Sequence, residues 1–141
     1  MQYDVWITVR GDQEYEDMGR DHTELTVAGI LEKSENGWTI FYDEAEQSGP
    51  ESTRTLFLID EQCVVLRRRG LLRSEMIFEA GKTHTTVYEM PFGSLPMEIS
   101  TESIRQKLSE RGGVLEIRYR LNVGQQVRSR NRFRVQVKRK V

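Results

Sequence analysis

Hydrophobic and polar residues alternate along most of this chain, a pattern that is typical of β-strands with one buried face. The C-terminal stretch is the clearest case. One face carries Val127, Ser129, Asn131, Phe133, Val135 and Val137, and the other carries Arg128, Arg130, Arg132, Arg134, Gln136 and Lys138. Similar alternation predicts strands over residues 3–9, 25–31, 38–42, 53–59, 62–69, 73–79, 83–90 and 114–121. The pattern of a long amphipathic helix is missing.

Short turn signals separate the predicted strands. Asn36-Gly37 predicts a tight hairpin with positive φ at both residues, because type I′ turns require that conformation. Further turns are expected at Asp60-Glu61, Ala80-Gly81 and Gly112-Gly113. Three segments without strand periodicity are predicted as loops or breaks, namely residues 11–22, 45–52 and 91–96.

Residues 97–110 fit two structures. Ile104 and Leu108 have helical spacing after Thr101, which could cap a short helix. The segment also leads into the Gly112-Gly113 turn and a clear strand, which favours a bulged strand entering a hairpin. We therefore expect a strand here.

Nine or ten strands joined by short turns predict an all-β fold of antiparallel neighbours. So many strands in one sheet usually curl, and closure removes the exposed edges. The prediction is a single up-and-down antiparallel β-barrel formed by residues 1–141, with a β-sandwich as the second choice. A length of 141 residues agrees with one domain.

The expected compartment follows from features that the sequence lacks. No segment approaches the roughly 20 apolar residues of a membrane span, and no signal peptide is recognisable. Cys63 is the only cysteine, so an internal disulfide cannot form. We expect a cytoplasmic protein without membrane contact, as a monomer or a homodimer.

Charge is distributed unevenly. Residues 1–61 carry 4 Lys/Arg and 15 Asp/Glu, a net of −11, whereas residues 111–141 carry 10 and 1, a net of +9. The basic residues concentrate on the outer face of the last two predicted strands, at Arg118, Arg120, Arg128, Arg130, Arg132 and Arg134. This face predicts either a platform for nucleic acid or an acidic protein, or a solvated surface neutralised by acidic strands at barrel closure.

Arg67, Arg68 and Arg69 end a predicted strand, so at least one of them must face the interior. Arg67 and Arg69 face inward if Cys63 and Val65 do, and Arg68 does so if Val64 and Leu66 face inward. An inward arginine needs a carboxylate or an anionic ligand, because it keeps its charge.

The leading hypothesis places a polar cluster of Tyr42, Glu44, Arg69 and Tyr88 at the barrel mouth, where it would orient a small polar or acidic ligand. The competing interpretation is a salt bridge at the rim of a packed barrel.

Catalytic and metal-binding signals are weak. His22, His84 and Cys63 lack the spacing of a zinc site, and no nucleophile, phosphate-loop or dinucleotide motif is present. The sequence predicts no metal, no cofactor and no catalytic residue. An enzyme ranks behind a binding barrel and an interaction module, because it would need converging titratable groups in the mouth.

A series of landmarks along nearly the whole chain resembles the YwiB-like family of small uncharacterised bacterial proteins. They are Leu25-x-x-x-Gly29, Tyr42-x-Glu44, Ser48-Gly49, Arg69-Gly70, Phe78, Gly81, Tyr88, Pro91-Phe92-Gly93, Thr101, Gly112-Gly113 and Tyr119. The resemblance implies a calycin-like β-barrel, with the architecture of lipocalins and fatty-acid-binding proteins. It implies no activity, cofactor or catalytic residue.

Overall fold

The chain folds into ten antiparallel β-strands, which confirms the predicted all-β class and barrel. The strands are β1 Gln2–Tyr15, β2 Gly19–Lys33, β3 Trp38–Asp43, β4 Arg54–Ile59, β5 Cys63–Arg69, β6 Ser74–Glu79, β7 Thr83–Met90, β8 Gly93–Ser109, β9 Gly112–Val123 and β10 Val127–Arg139. The computed structural model describes residues 1–16, 19–43, 54–70, 73–90, 93–124 and 127–140, with the backbone alone at residues 88–90 and 127. Those residues contain no helix that could cross a membrane.

The strands form one sheet in the order β6-β5-β4-β3-β2-β1-β10-β9-β8-β7, so nearly every strand lies beside its chain neighbours. Pairing of β1 with β10 brings the two halves of the chain together. At the remaining seam, the turn after β6 reaches β8. The Gly81 N–H donates to the Thr101 carbonyl at 2.9 Å, and the Thr101 N–H donates to the Lys82 carbonyl at 3.1 Å. The barrel is therefore nearly closed.

The barrel has two ends that differ in composition. We call the end where β1, β3, β5, β7 and β9 finish the mouth, and the opposite end the base. Because side chains alternate along a strand, apolar residues from β1 to β6 and from β8 to β10 meet inside. The fully buried ones are Val5, Ile7, Leu31, Ile40, Phe57, Val64, Phe78, Ile99, Leu115, Ile117 and Val135.

Aromatic pairs fill the centre of the barrel. Phe57 of β4 stacks on Phe133 of β10 with ring centroids 5.7 Å apart. Phe78 of β6 meets Tyr119 of β9 edge to face at 4.8 Å. Offset and edge-to-face rings are the favoured arrangements of aromatic pairs. These contacts pack the middle of the barrel.

Gly29 permits the close packing of β2 against its neighbours. A Cβ atom at this position would lie 2.4 Å from Ile7 Cδ1 and 2.5 Å from the Phe41 carbonyl oxygen. Gly29 also pairs with Tyr42, so the absence of its side chain leaves room for the tyrosine on the inner face.

The prediction of a loop over residues 11–22 is wrong, because β1 and β2 remain paired as far as Tyr15 and Gly19. Both faces of this hairpin are polar near its tip, so no hydrophobic period marks it. Ion pairs between the strands support it instead. Arg10 Nε lies 3.3 Å from Glu24 Oε2, and His22 Nδ1 lies 2.6 Å from Asp12 Oδ1.

The predicted hairpin at Asn36-Gly37 is present, but its turn differs from the prediction. The connection spans residues 34–37, the Ser34 N–H donates to the Gly37 carbonyl at 3.0 Å, and Gly37 has no positive φ. Glycine is required for another reason. A Cβ atom at Gly37 would lie 1.9 Å from the Ile59 carbonyl oxygen.

Residues 97–110 form a strand, as expected, with a bulge between Thr101 and Ser103 where β8 pairs with β9. The predicted break over residues 91–96 is wrong for residues 93–96, because β8 already begins at Gly93, and residues 91 and 92 lie outside the described residues. Pro96 is tolerated within the strand, since it pairs with Val87 and its carbonyl accepts from the Gly124 N–H.

Candidate ligand-binding site at the barrel mouth

Of the three consecutive arginines, Arg68 is the one on the inner face. Val64 is fully buried and Leu66 nearly so, and Arg68 follows them at the same alternation. Pairing fixes this choice, because Val64 lies opposite Phe78 and Leu66 lies opposite Phe57.

Arg69 is exposed and lies on the outer alternation, so the cluster predicted around it is corrected. Arg67 is also on the outer face, where its Nε lies 2.9 Å from Glu75 Oε2.

Four residues form a row across neighbouring strands on the inner wall near the mouth. Gly29 pairs with Tyr42, Tyr42 with Thr55, and Thr55 with Arg68. Trp38, Ile40 and Tyr42 line the interior on β3. Side chains directly opposite each other on paired strands are about 5 Å apart at Cβ, so the tyrosine, threonine and arginine form one polar strip.

A cavity of about 310 Å³ opens beside this strip. Its apolar wall is contributed by Val9, Leu25, Phe57, Leu66 and Phe133, and its polar wall by Thr23, Glu24, Tyr42, Thr55 and Arg68. Small-molecule sites typically combine an apolar lining with a few polar groups in volumes of about 300–1,000 Å³. This cavity lies at the lower end of that range.

Thr55 is the most unusual member of the strip. The residue is 1% exposed, and its hydroxyl has no hydrogen-bond partner among the described residues. Buried hydroxyls are nearly always bonded, because an unsatisfied one costs about 1–3 kcal/mol. Tyr42 is 4% exposed and packs against Phe57 at 6.3 Å, and both Tyr42 and Arg68 have further interactions.

Two members of the predicted cluster are not placed by the structure. Glu44 lies outside the described residues, and the side chain of Tyr88 does so too. Their membership in the site stays a prediction. The structure thus brings Tyr42 together with Thr55 and Arg68.

A second group of inward polar residues lies on β1, β9 and β10. Asn131 pairs with both Gln13 and Tyr119, and its amide donates to Ser129 Oγ at 3.0 Å. The Tyr15 hydroxyl donates to the Gln13 side chain. Burial, reinforced by the neighbouring Tyr15, raises the pKa of Tyr119 to about 12. These groups largely satisfy one another and carry no charge, which indicates a structural role.

The predicted basic face lies on the outer wall of β9 and β10, and acidic residues interleave with it. Glu116 bridges Arg118 at 3.5 Å and Arg132 at 3.2 Å. Arg120 Nε lies 3.1 Å from Glu102 Oε1. Acidic residues of β1 also border β10, since Asp12 pairs with Arg132. The ion pairs of this face come from Glu116 of β9 and Glu102 of β8, and they weaken the electrostatic basis of a nucleic-acid platform. Neutralisation by acidic strands at barrel closure stays a prediction.

The other titratable groups show ordinary structural environments. The Asp12 carboxylate raises the pKa of the exposed His22 ring. Hydrogen bonds from Lys82 and His84 lower the pKa of Glu79. Burial, followed by the Glu79 and Asp60 carboxylates, raises the pKa of the Cys63 thiol, so it is not an activated thiolate. No cluster of metal-ligating side chains occurs within the described ranges.

Comparison with known proteins places the chain in a family. The model of the domain of unknown function DUF1934 matches residues 7–135. The chain belongs to this family. The resemblance seen in the sequence motifs is confirmed as well, because the curated relative described next is YwiB.

The uncharacterized β-barrel protein YwiB of Bacillus subtilis (strain 168) is 28% identical over 125 residues, which cover 88% of this chain and 87% of the relative. The crystal structure of the Bacillus subtilis ywiB protein superimposes with a TM-score of 0.87 at 23% identity, covering 99% of this chain and 94% of that one. The likeness supports the DUF1934 barrel fold. The wider relationship to calycins stays a prediction.

Sequence reasoning about this DUF1934 chain left out Thr55. The signal that could have revealed it is the alternation of β4, in which Thr55 precedes the buried Phe57 and Ile59. A threonine at an inward position was visible in the sequence. That its hydroxyl has no hydrogen-bond partner among the described residues depends on the neighbouring strands and required the structure.

Proposed function

We propose that this protein is a non-enzymatic binding protein of the cytoplasm that holds a small acidic molecule in the cavity at the barrel mouth. The observation that carries the proposal is the buried Thr55 hydroxyl without a hydrogen-bond partner among the described residues, in the wall of a cavity of about 310 Å³. A polar ligand atom entering the cavity would satisfy this hydroxyl. Such a hydrogen bond would offset the free-energy cost of burying the hydroxyl.

Arg68 determines the charge of the expected ligand. Its guanidinium carries a permanent positive charge and five N–H donors, so the side chain can serve more than one partner. Planar guanidinium groups bind carboxylates in a bidentate manner, and these charge-assisted hydrogen bonds are roughly twice as strong as neutral ones. An acidic head group at the rim, near Arg68 and Tyr42, is the arrangement that we infer.

The other residues that line the cavity limit the size and polarity of the rest of the ligand. Phe57, Phe133 and Leu66 provide an apolar surface below the polar strip. The stacked Phe57 and Phe133 rings limit how far a ligand can enter, because they occupy the centre of the barrel. The ligand should therefore be short and apolar apart from its acidic group. Octanoate is a suitable probe, with octanol as its uncharged counterpart.

Replacing Thr55 with valine tests the proposal through two opposite effects. Thr55→Val removes the unsatisfied hydroxyl at nearly constant shape, so it should raise the free energy of unfolding by about 1–3 kcal/mol. The same change should weaken octanoate binding severalfold, measured by titration calorimetry beside denaturant unfolding. A mutant that gains stability and loses affinity is the expected result.

Thr101→Val is the matched control. The Thr101 hydroxyl is also buried without a partner among the described residues, but Thr101 does not line this cavity. This variant should gain stability in the same way and bind octanoate normally. Unchanged octanoate binding by Thr55→Val, or equal weakening in both variants, would contradict the proposed site.

A further inference from the structure

Four arginines form an unfavourable square on the outer wall of the barrel. Arg120 lies directly opposite Arg130, and Arg118 lies directly opposite Arg132, all on the exposed face. Like charges directly opposite each other on paired strands are destabilising. The sheet tolerates this arrangement because carboxylates neutralise part of it.

The neutralisation of this face is incomplete near the mouth end of β10. Glu116 and Glu102 engage Arg118, Arg132 and Arg120, as described above. No ion pair with a carboxylate is formed by Arg128 or Arg130 in the part of the chain that the structure describes. These two arginines lie on the same face of β10, two residues apart, near the mouth end.

Arg128 and Arg130 line a groove of about 620 Å³ on the outer surface. Arg120 and Asn122 of β9 belong to the same wall, because Arg120 pairs with Arg130 and Asn122 pairs with Arg128. Ser100 of β8 pairs with Arg120 and adds a hydroxyl. The groove therefore presents three guanidinium groups flanked by an amide and a hydroxyl.

The opposite side of the groove is acidic. Glu14 of β1 pairs with Arg130, and the Glu16 backbone N–H donates to the Arg128 carbonyl at 3.4 Å. Both glutamates line the groove. A simple polyanion would be repelled by these carboxylates. A molecule with an anionic group at one end and hydrogen-bond donors at the other would match both walls.

We infer that this outer groove binds a phosphorylated molecule that also carries hydroxyl groups. Arginine forks match the oxygens of phosphate, and a phosphate group can accept from several guanidinium groups at once. Hydroxyl groups of the same molecule would donate to Glu14 and Glu16. The groove is a second site, separate from the cavity at the barrel mouth. Binding of a phosphorylated molecule there is not part of the function proposed for that cavity.

Phosphate and hydroxyl groups occur together in sugar phosphates and in nucleic-acid strands, so both types of molecule are tested. Full-length protein would be titrated with ribose 5-phosphate, with inorganic phosphate and with a short single-stranded RNA, and binding would be followed by calorimetry. The variants are Arg128→Ala/Arg130→Ala and a control, Lys107→Ala/Arg111→Ala. The control removes the same charge from exposed positions near the base.

Ribose 5-phosphate should bind saturably and more tightly than inorganic phosphate. Its affinity should fall by at least about tenfold in Arg128→Ala/Arg130→Ala and stay within about twofold of wild type in the control. Thermal unfolding would verify that both variants are folded, and octanoate binding should be unaffected. RNA binding that is lost in the same variant would identify a nucleic-acid strand as the source of the phosphate.

Three results would overturn the inference. The first is the absence of saturable binding of ribose 5-phosphate and RNA. The second is an equal loss in both variants, which would show that net charge alone matters. The third is equal affinity for inorganic phosphate and ribose 5-phosphate, because the acidic wall would then contribute nothing.

Discussion

Octanoate should bind Arg68→Ala roughly 10- to 100-fold more weakly than wild type, because a hydrogen bond to a charged group contributes about 1.5–3 kcal/mol. Arg68 is the inward cation of the polar strip with Tyr42 and Thr55. Octanol lacks the charge, so its binding should change little. Since Arg68 is exposed at the rim, octanoate affinity should also fall as ionic strength rises.

Two further variants distinguish the effect of the position of Arg68 on octanoate binding from the effect of its charge. Arg69→Ala removes the same charge one residue away on the outer face and should bind octanoate as wild type does. Arg68→Lys retains the charge but loses the planar fork, so its affinity should be intermediate. Equal weakening in Arg68→Ala and Arg69→Ala would show that the mouth cavity does not select the acid through Arg68.

Replacing Phe57 with alanine should have the largest effect on stability. Phe57 is fully buried, stacks on Phe133 and contacts Tyr42. Truncation of such a side chain costs about 3–5 kcal/mol, because both the transfer of the ring and the cavity left behind contribute. Total stability of a domain is roughly 5–15 kcal/mol, so this single change should shift denaturant unfolding to much lower concentration.

Phe41→Ala is the control for that experiment. Phe41 lies on the neighbouring strand but on its outer face, where it is half-buried. Its replacement should cost less than half as much as Phe57→Ala. Both variants would be compared by denaturant unfolding, with the dependence of the unfolding free energy on denaturant concentration unchanged. Similar losses of unfolding free energy in the two variants would contradict the view that the stacked rings hold opposite walls of the barrel together.

Much of the fold was predictable because one face of most strands is apolar and the other polar. That rule fails at residues 11–22, where both faces are polar and cross-strand ion pairs such as Arg10 with Glu24 replace the hydrophobic signal. The sequence pattern also misses the true start of β8 at Gly93. Proline and glycine usually mark breaks, but this strand tolerates them.

The candidate site was harder to predict. The run from Cys63 to Leu66 is apolar at every position, so alternation could not decide which arginine faces inward. Pairing with Phe57 and Phe78 decides it, and such pairing depends on register between strands far apart in sequence. From the sequence, Arg68 was therefore one alternative for the inward arginine, and nothing in the pattern favoured it over Arg69.

Native mass spectrometry of the freshly purified full-length protein, with Arg68→Ala prepared in parallel, tests the central claim most directly. Each sample would be measured under native and denaturing conditions. Wild type should retain a small molecule whose mass disappears on denaturation, and Arg68→Ala should retain much less of it. A bare polypeptide mass for both proteins, or the same bound mass in both, would contradict a ligand site built around Arg68, Thr55 and Tyr42.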